Sequence, residues 1–137
     1  MAVTEPIVAR ERSYTDIDFG FRANPVTGDI ALKRDEQAVK QSVINILSTN
    51  RGERPFDPDF GANIRNRLFE NFDPIVKQLI NDDIRSALRN YEPRVRVLNV
   101  QVDAKPDQNS IDISVEFEIQ SPEQTVTTVN FSVERLR

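Results

Sequence analysis

The chain contains no cysteine and no histidine among its 137 residues, and these absences exclude several kinds of site. Without cysteine there is no disulfide and no thiolate, a composition that suits a reducing cytosol. Without histidine the chain lacks the commonest general base near neutral pH and the commonest ligand of transition metals. A Ser-His-Asp triad is excluded, and the four glycines form no phosphate-binding loop.

Long apolar runs and concentrated positive charge are also missing. The longest apolar segments, such as Val43–Leu47, are far shorter than a membrane span, and residues 1–13 have no apolar core of signal-peptide length. The net charge is −4, and the basic residues are scattered beside acids. Because nucleic-acid binding relies on clustered Lys and Arg, we expect a soluble protein with no export signal, no membrane partner and no nucleic-acid partner.

The length fits one domain. Residues 1–13 mix Thr, Glu, Pro and Arg with short apolar residues, so we predict an extended N-terminal arm there. Residues 14–137 are predicted to form a single α+β domain. It begins with a loose hairpin over residues 14–33, because apolar residues flank the turn residues of Asn24–Asp29.

Two helices and a compact loop are predicted next. The first helix begins near Asp35, a plausible N-cap, and ends before Gly52. In the loop 54–61 two prolines fix the backbone, and we expect Phe56 and Phe60 to pin the loop to the core. A short second helix follows. Its residues expected to face inward are Ile64, Leu68 and Phe69.

The third helix has the clearest signals. Asp73 stands at the N-cap and Pro74 at the first helical position, where a missing N–H costs nothing. Pro93 ends the helix, since the residue before a proline avoids the helical conformation. A helix from Pro74 to Tyr91 is about 27 Å long. Its predicted apolar stripe comprises Ile75, Val76, Leu79, Ile80, Ile84, Ala87, Leu88 and Tyr91.

The remainder of the chain has the period-two pattern of half-buried strands. Val95 and Val97 share one parity, whereas Leu98 and Val100 share the other, which predicts a β-bulge near Val97-Leu98. Strict alternation over 111–119 and a third strand ending at Val133 predict an antiparallel three-stranded meander. The fold class is therefore α+β, with three helices packed on a small antiparallel sheet.

Several acidic residues leave a glycan hydrolase as one alternative. Such an enzyme needs two carboxyl groups flanking one bond, one of them with a raised pKa. The chain has no tryptophan and only two tyrosines to stack on sugars, and caps or exposed helix ends account for the acids. The segments Asp16–Gly20 and Asp57–Gly61 lack the further oxygens of a calcium loop. We predict no catalytic residue, metal or cofactor. The acids considered are Glu53, Asp57, Asp59, Glu70 and Glu92.

The turn Glu92-Pro93-Arg94 joins the longest helix to the first strand of the sheet. Proline makes the corner rigid, and we expect the side chains of Glu92 and Arg94 to point away from it. The arginine fork suits bidentate contacts and the glutamate accepts hydrogen bonds. Taken alone, the turn is also explained as an ordinary polar connection between helix and strand.

Three blocks read together change that interpretation: Arg54–Gly61, Leu68–Asn71 and Arg89–Arg94. In this order and spacing they resemble the baseplate wedge proteins of contractile-tailed phages, the sheath-initiator family, with the closest match in the T4-like branch. The series is also similar to a baseplate subunit of type VI secretion systems. The resemblance covers residues 14–136.

The resemblance implies a structural protein rather than an enzyme. It assigns Glu92, Pro93 and Arg94 to a protein interface that anchors the subunit to the helical core bundle of the baseplate wedge. It also implies the tail sheath protein as a partner, because the family's small sheet resembles the interlocking domain of the sheath and initiates sheath assembly. The implied location is the virion tail baseplate, assembled in the host cytoplasm with multiple copies in a six-fold ring. The hydrolase and a type VI secretion subunit stay as alternatives.

Overall fold

The computed structural model describes residues 15–17, 20–29, 32–120 and 124–134. The chain divides into two compact units, residues 1–38 and 39–137. The predicted arm, residues 1–13, lies outside the described residues, and the predicted start of a single domain at residue 14 stays a prediction. Within the described ranges, no helix is long and apolar enough to cross a membrane.

The first unit contains an antiparallel hairpin, as predicted. Strand β1 (Thr15–Ile17) pairs with β2 (Leu32–Arg34). The turn between them is closed by the Asn24 N–H, which donates to the Asp29 carbonyl at 2.7 Å, and by the Gly28 N–H, which donates to the Asn24 carbonyl at 2.8 Å. Gly28 has a φ of 71°, a conformation that glycine adopts without steric cost.

Helix α1 spans Glu36–Ser48 and confirms the first predicted helix. Asp35 precedes it with a φ of 52°, so it does not have the extended backbone typical of an N-cap. In the second unit, the apolar residues of α1 recur at helical spacing and are buried because they share one face. They are Val39, Val43, Ile46 and Leu47.

Helix α3 spans Pro74–Tyr91, as predicted, after the four-residue helix α2 (Ile64–Arg67). Asp73 has the extended backbone of an N-cap, and Pro74 occupies the first turn. The predicted stripe was too broad: Ile75 is 72% exposed and Leu79 36% exposed. The buried residues of α3 form a narrower row, which comprises Val76, Ile80, Ile84, Ala87 and Leu88. Phe69, predicted to face inward, is also exposed.

Three strands form the C-terminal sheet in the order β3-β4-β5, which confirms the predicted antiparallel meander. They are β3 (Val95–Lys105), β4 (Ser110–Ile119) and β5 (Val126–Glu134). The register of β3 shifts between Val97 and Asn99, so the predicted bulge falls at Leu98. That residue has no partner in the ladder, and its side chain is exposed.

The core of the second unit lies between the apolar face of this sheet and the helices. The central strand β4 contributes Phe117 with 0% exposure, and its inward residues alternate with partly exposed polar ones. Helix α3 packs against β3, and α2 packs against α3. The observed class is α+β, as the alternation and helical spacing predict.

Candidate functional site

The predicted interface turn lies where α3 ends. The Glu92 N–H donates to the Leu88 carbonyl at 2.9 Å and closes the last helical turn, after which Pro93 prevents another. The Glu92 side chain does not point outward, because only 2% of the residue is exposed. The expected orientation of this glutamate is therefore wrong.

Glu92 turns inward because two donors meet its carboxylate there. Arg94 binds it as a fork, with Nε 2.5 Å from Oε1 and Nη2 2.6 Å from Oε2. The Ser42 hydroxyl of α1 donates to Oε2 as well. A buried carboxylate is costly unless it is paired and hydrogen-bonded, and this one has both kinds of partner. The turn thus joins the end of α3 to the start of β3 by this ion pair, and to α1 by the hydrogen bond from Ser42.

Ser42 was not predicted, although the sequence carries a signal for it. It lies three residues after Val39 and four before Ile46, so it falls on the apolar face of α1. A polar residue on such a face needs a partner. The partner is 50 positions away in the chain, so only the tertiary structure identifies it.

The pKa of Glu92 reflects a balance between burial and these donors. Burial would raise this pKa, but the hydrogen bonds from Arg94 and Ser42 and the charge of Arg94 outweigh it. The pKa of Glu92 is lowered, so the carboxylate is ionised at neutral pH. A general acid of a glycosidase requires the opposite shift.

The outer surface of the corner consists of Pro93, which is exposed, and part of Arg94, whose side chain is 28% exposed. The proline-rich loop lies beside it. The ring of Phe60 meets Tyr91 edge-on, with the centroids 4.9 Å apart. The Arg54 guanidinium stands 3.7 Å from the centroid of Phe60. The prediction that Phe60 pins the loop is consistent with this contact with the last turn of α3.

The same loop is held by its own backbone. The Gly52 N–H donates to the Pro58 carbonyl at 2.7 Å, and the Glu53 carboxylate accepts from the Asn50 N–H at 2.9 Å. Phe56 lies between these anchor points and is fully exposed, so the expectation that it packs on the core is wrong. The closed loop therefore presents the ring of Phe56 to solvent.

The remaining carboxylates considered for hydrolysis have local roles. Glu70 pairs with Arg67 at 3.1 Å, and Glu53 stabilises its own loop. Asp57 and Asp59 act on Tyr91, whose pKa is raised by burial first and by these two charges next. The described part of the chain holds no group of three or more acidic residues placed to bind a metal.

The second feature is the open edge of the sheet. Among the described residues, β5 pairs only with β4. The Ile119 N–H donates to the Thr125 carbonyl at 2.9 Å, and this bond shows which residues of β5 direct their backbone groups toward β4. Because backbone groups alternate in direction along a strand, Thr128, Asn130 and Ser132 direct their N–H and C=O groups away from β4.

Comparisons with known proteins agree with the blocks found in the sequence. Residues 33–124 match the family model described as Baseplate wedge protein gp25. The baseplate wedge protein gp25 of Enterobacteria phage T4 is 34% identical over 106 residues, which cover 77% of this chain and 80% of that protein.

Solved structures share the fold. A candidate tail lysozyme from Geobacter sulfurreducens aligns with a TM-score of 0.66 at 27% identity, covering 74% of this chain and 92% of that one. A chain of the anti-feeding prophage baseplate, a 6-fold symmetrised cryo-EM structure, aligns with a TM-score of 0.62 at 20% identity, covering 87% of this chain and 85% of that one.

Proposed function

The chain belongs to the Baseplate wedge protein gp25 family, and from this premise we propose that it docks into a baseplate wedge through the Glu92–Arg94 corner and initiates the tail sheath through its sheet. The membership makes the chain a structural subunit of a contractile-tail baseplate. The docking partner in this proposal is the helical core bundle of the wedge. Several copies occupy a six-fold baseplate, which is assembled in the host cytoplasm.

The rigid corner is the observation that carries the docking proposal. The carboxylate of its ion pair is buried and its loop is closed by hydrogen bonds, so Pro93, the outer part of Arg94 and the backbone that carries Phe56 are held in place before a partner arrives. Preorganised groups lose little conformational entropy on binding. Aromatic residues and arginine are also among the residue types that contribute most to binding at protein interfaces. We call Phe56, Pro93 and Arg94 the docking surface.

The open edge of β5 supports the sheath proposal. A row of backbone donors and acceptors along an edge strand binds another strand by main-chain hydrogen bonds. The opposite edge strand, β3, connects directly to the docking corner. In this arrangement the wedge and the sheath contact opposite edges of the sheet, so the chain binds both partners at the same time.

A hydrolytic role receives no support from the site. The lowered pKa of Glu92 and its ion pair with Arg94 leave it unable to act as a proton donor near neutral pH. The candidate tail lysozyme shares the fold, but shared fold does not transfer an activity. We favour a phage tail over a secretion system, because the T4 protein is the relative with 34% identity.

Charge substitutions on the docking surface test the docking proposal without disturbing the ion pair. Phe56→Asp and Pro93→Asp each place a carboxylate at an exposed position. We expect each variant to keep the circular dichroism spectrum and melting temperature of the wild type, within about 4 °C. We also expect recovery with co-expressed wedge subunits to fall at least about tenfold, which corresponds to about 1.4 kcal/mol of binding free energy.

Ile75→Asp is the matched control, because it places the same charge on an exposed residue at the other end of α3. It should co-purify with the wedge as the wild type does. Wild-type recovery of both Phe56→Asp and Pro93→Asp would show that the docking surface is wrong. Substitution of Glu92 or Arg94 is unsuitable for this purpose, since these residues also stabilise the fold.

A further inference from the structure

A groove runs beside the open edge of β5. It has a volume of about 330 Å³ and lies between β5 and the helices α1 and α2. Its inner surface is apolar and its rim is polar. The apolar lining comprises Ile44, Leu47, Ile64, Phe131 and Val133, and the rim comprises Ser48, Arg65, Ser132 and Glu134.

The inward side chains of β5 are buried in the first half of the strand and only partly covered in the second half. On its inward face, Thr127 and Val129 are 7% and 5% exposed, whereas Phe131 and Val133 are only half-buried. Leu47 and Ile64, on the helices that face them, are 2% and 1% exposed. The groove is therefore a gap in the layer between sheet and helices, where the side chains of Phe131 and Val133 are incompletely covered.

The chemistry of the adjacent edge identifies the kind of molecule that fills this gap. Asn130 and Ser132 direct their backbone N–H and C=O groups outward along the same stretch of β5 that borders the groove. A helix has no free backbone groups along its side to match that row, because its own hydrogen bonds use them. A β-strand satisfies the row and, at every second residue, directs a side chain toward the core.

We propose that a partner strand adds to the open edge of β5 and inserts an aliphatic side chain into the groove, between Phe131 and helix α1. This inference rests on the proposed function and specifies the partner, a sheath strand with an aliphatic residue at its inward position. The backbone hydrogen bonds hold any strand, and the pocket selects the sequence. A charged residue is rejected there, because it loses hydration against Leu47 and Ile64.

Two substitutions separate the pocket from the strand addition itself. Ser48→Phe fills the groove from its rim without removing a core residue, since Ser48 is exposed. Thr128→Pro removes an outward N–H from the edge and leaves the ladder with β4 intact. Each variant is incorporated into baseplates together with the wedge subunits, and sheath protein is then added. Sheathed baseplates are counted by negative-stain electron microscopy.

We expect at least tenfold fewer sheathed baseplates with either variant, at unchanged incorporation into the wedge. The matched controls Ser86→Phe, at an exposed position on α3, and Thr128→Ala, which keeps the N–H, should assemble sheath normally. A wild-type count with Ser48→Phe and a reduced count with Thr128→Pro would overturn the pocket and leave the proposed strand addition standing. A wild-type count with Thr128→Pro would overturn sheath initiation at β5 itself.

Two other occupants of the groove give distinct results with the purified full chain. If a second copy fills the groove, the wild type sediments as a dimer and Ser48→Phe as a monomer. If the chain's own residues 1–13 fill it, deleting them increases the hydrogen exchange of the Asn130 and Ser132 amides. Either result would overturn the assignment to a sheath strand. A monomer with unchanged exchange, together with the loss of sheath in Ser48→Phe, supports it.

Discussion

Replacing Arg94 with alanine removes both cationic hydrogen bonds from the buried carboxylate of Glu92 and leaves the Ser42 hydroxyl and the backbone N–H of residue 94 as its donors. Breaking a fully buried ion pair from one side costs about 3–5 kcal/mol. The Arg94 side chain is 28% exposed and the Glu92 side chain 3%, so water replaces part of the lost interaction. We therefore expect a loss of about 2–3 kcal/mol at pH 7, out of a total stability of about 5–15 kcal/mol. At about 4 °C per kcal/mol, the melting temperature falls by about 8–12 °C.

The loss should depend on pH in a direction that the site dictates. In the wild type the pKa of Glu92 is lower in the folded state than in the unfolded state, where it is about 4.3. The ionised carboxylate therefore stabilises the fold above the unfolded pKa, and this stabilisation is lost as the pH falls through the folded pKa. In Arg94→Ala the hydrogen bonds and the charge of the guanidinium no longer oppose burial, so we expect the pKa of Glu92 to be higher than in the wild type. Protonation in mild acid then relieves the buried charge, so the loss shrinks between pH 7 and pH 4.

Urea unfolding followed by circular dichroism, at pH 7 and at pH 4, measures both quantities. The double variant Glu92→Gln with Arg94→Ala is the control, because it has no carboxylate to titrate at residue 92. The loss of unfolding free energy in this double variant, relative to the wild type, should not become smaller at pH 4 as it does in Arg94→Ala. A loss below about 1 kcal/mol at pH 7, or an equal loss at both pH values, would refute the structural role assigned to the pair.

Two further predictions concern the loop and the core. Gly61→Ala should cost at least about 3 kcal/mol and Gly52→Ala about 1 kcal/mol. Both glycines have positive φ, but only at Gly61 would the new methyl group clash with the Thr49 carbonyl oxygen. Equal losses in thermal unfolding would contradict this account of the loop. Phe117→Ala should lower the free energy of unfolding by about 3–5 kcal/mol, because Phe117 is 0% exposed. Phe56→Ala should lower it by less than about 0.5 kcal/mol, because Phe56 is fully exposed. A difference below about 1 kcal/mol in urea unfolding would show that burial does not separate them.

The internal pairing of Glu92 and Arg94 gives the turn two roles. The ion pair stabilises the corner, and in our proposal the same corner presents Pro93 and the edge of Arg94 to the wedge. A substitution that weakens docking by breaking the pair therefore also weakens folding. This is why exposed positions, rather than the charged ones, give the cleaner test of docking.

Local signals were sufficient for most of the secondary structure. Asp73 and Pro74 mark the start of α3 and Pro93 its end, because proline acts on its immediate neighbours. The change of parity after Val97 located the bulge at Leu98, since side chains alternate along a strand. The order of three blocks in the sequence also indicated the family, which the match over residues 33–124 confirms.

Exposure was predicted less well, because periodicity marks an apolar face but not the width of the surface that covers it. Ile75 and Leu79 fit the spacing of α3 yet lie beside the row that meets the sheet. Phe56 and Phe60 share one loop and one residue type, but within the described part of the chain only Phe60 contacts another ring, that of Tyr91. Such differences depend on neighbours that are distant in sequence.

The sequence by itself determined the helix ends, the alternation of the strands, the bulge and the family, because each depends on residues close together in the chain or on their order. Only the tertiary structure decided the direction of Glu92, since the Ser42 hydroxyl that helps to draw it inward stands 50 residues earlier. It also decided that the groove lies beside the open edge of β5, because three elements from different parts of the chain enclose it.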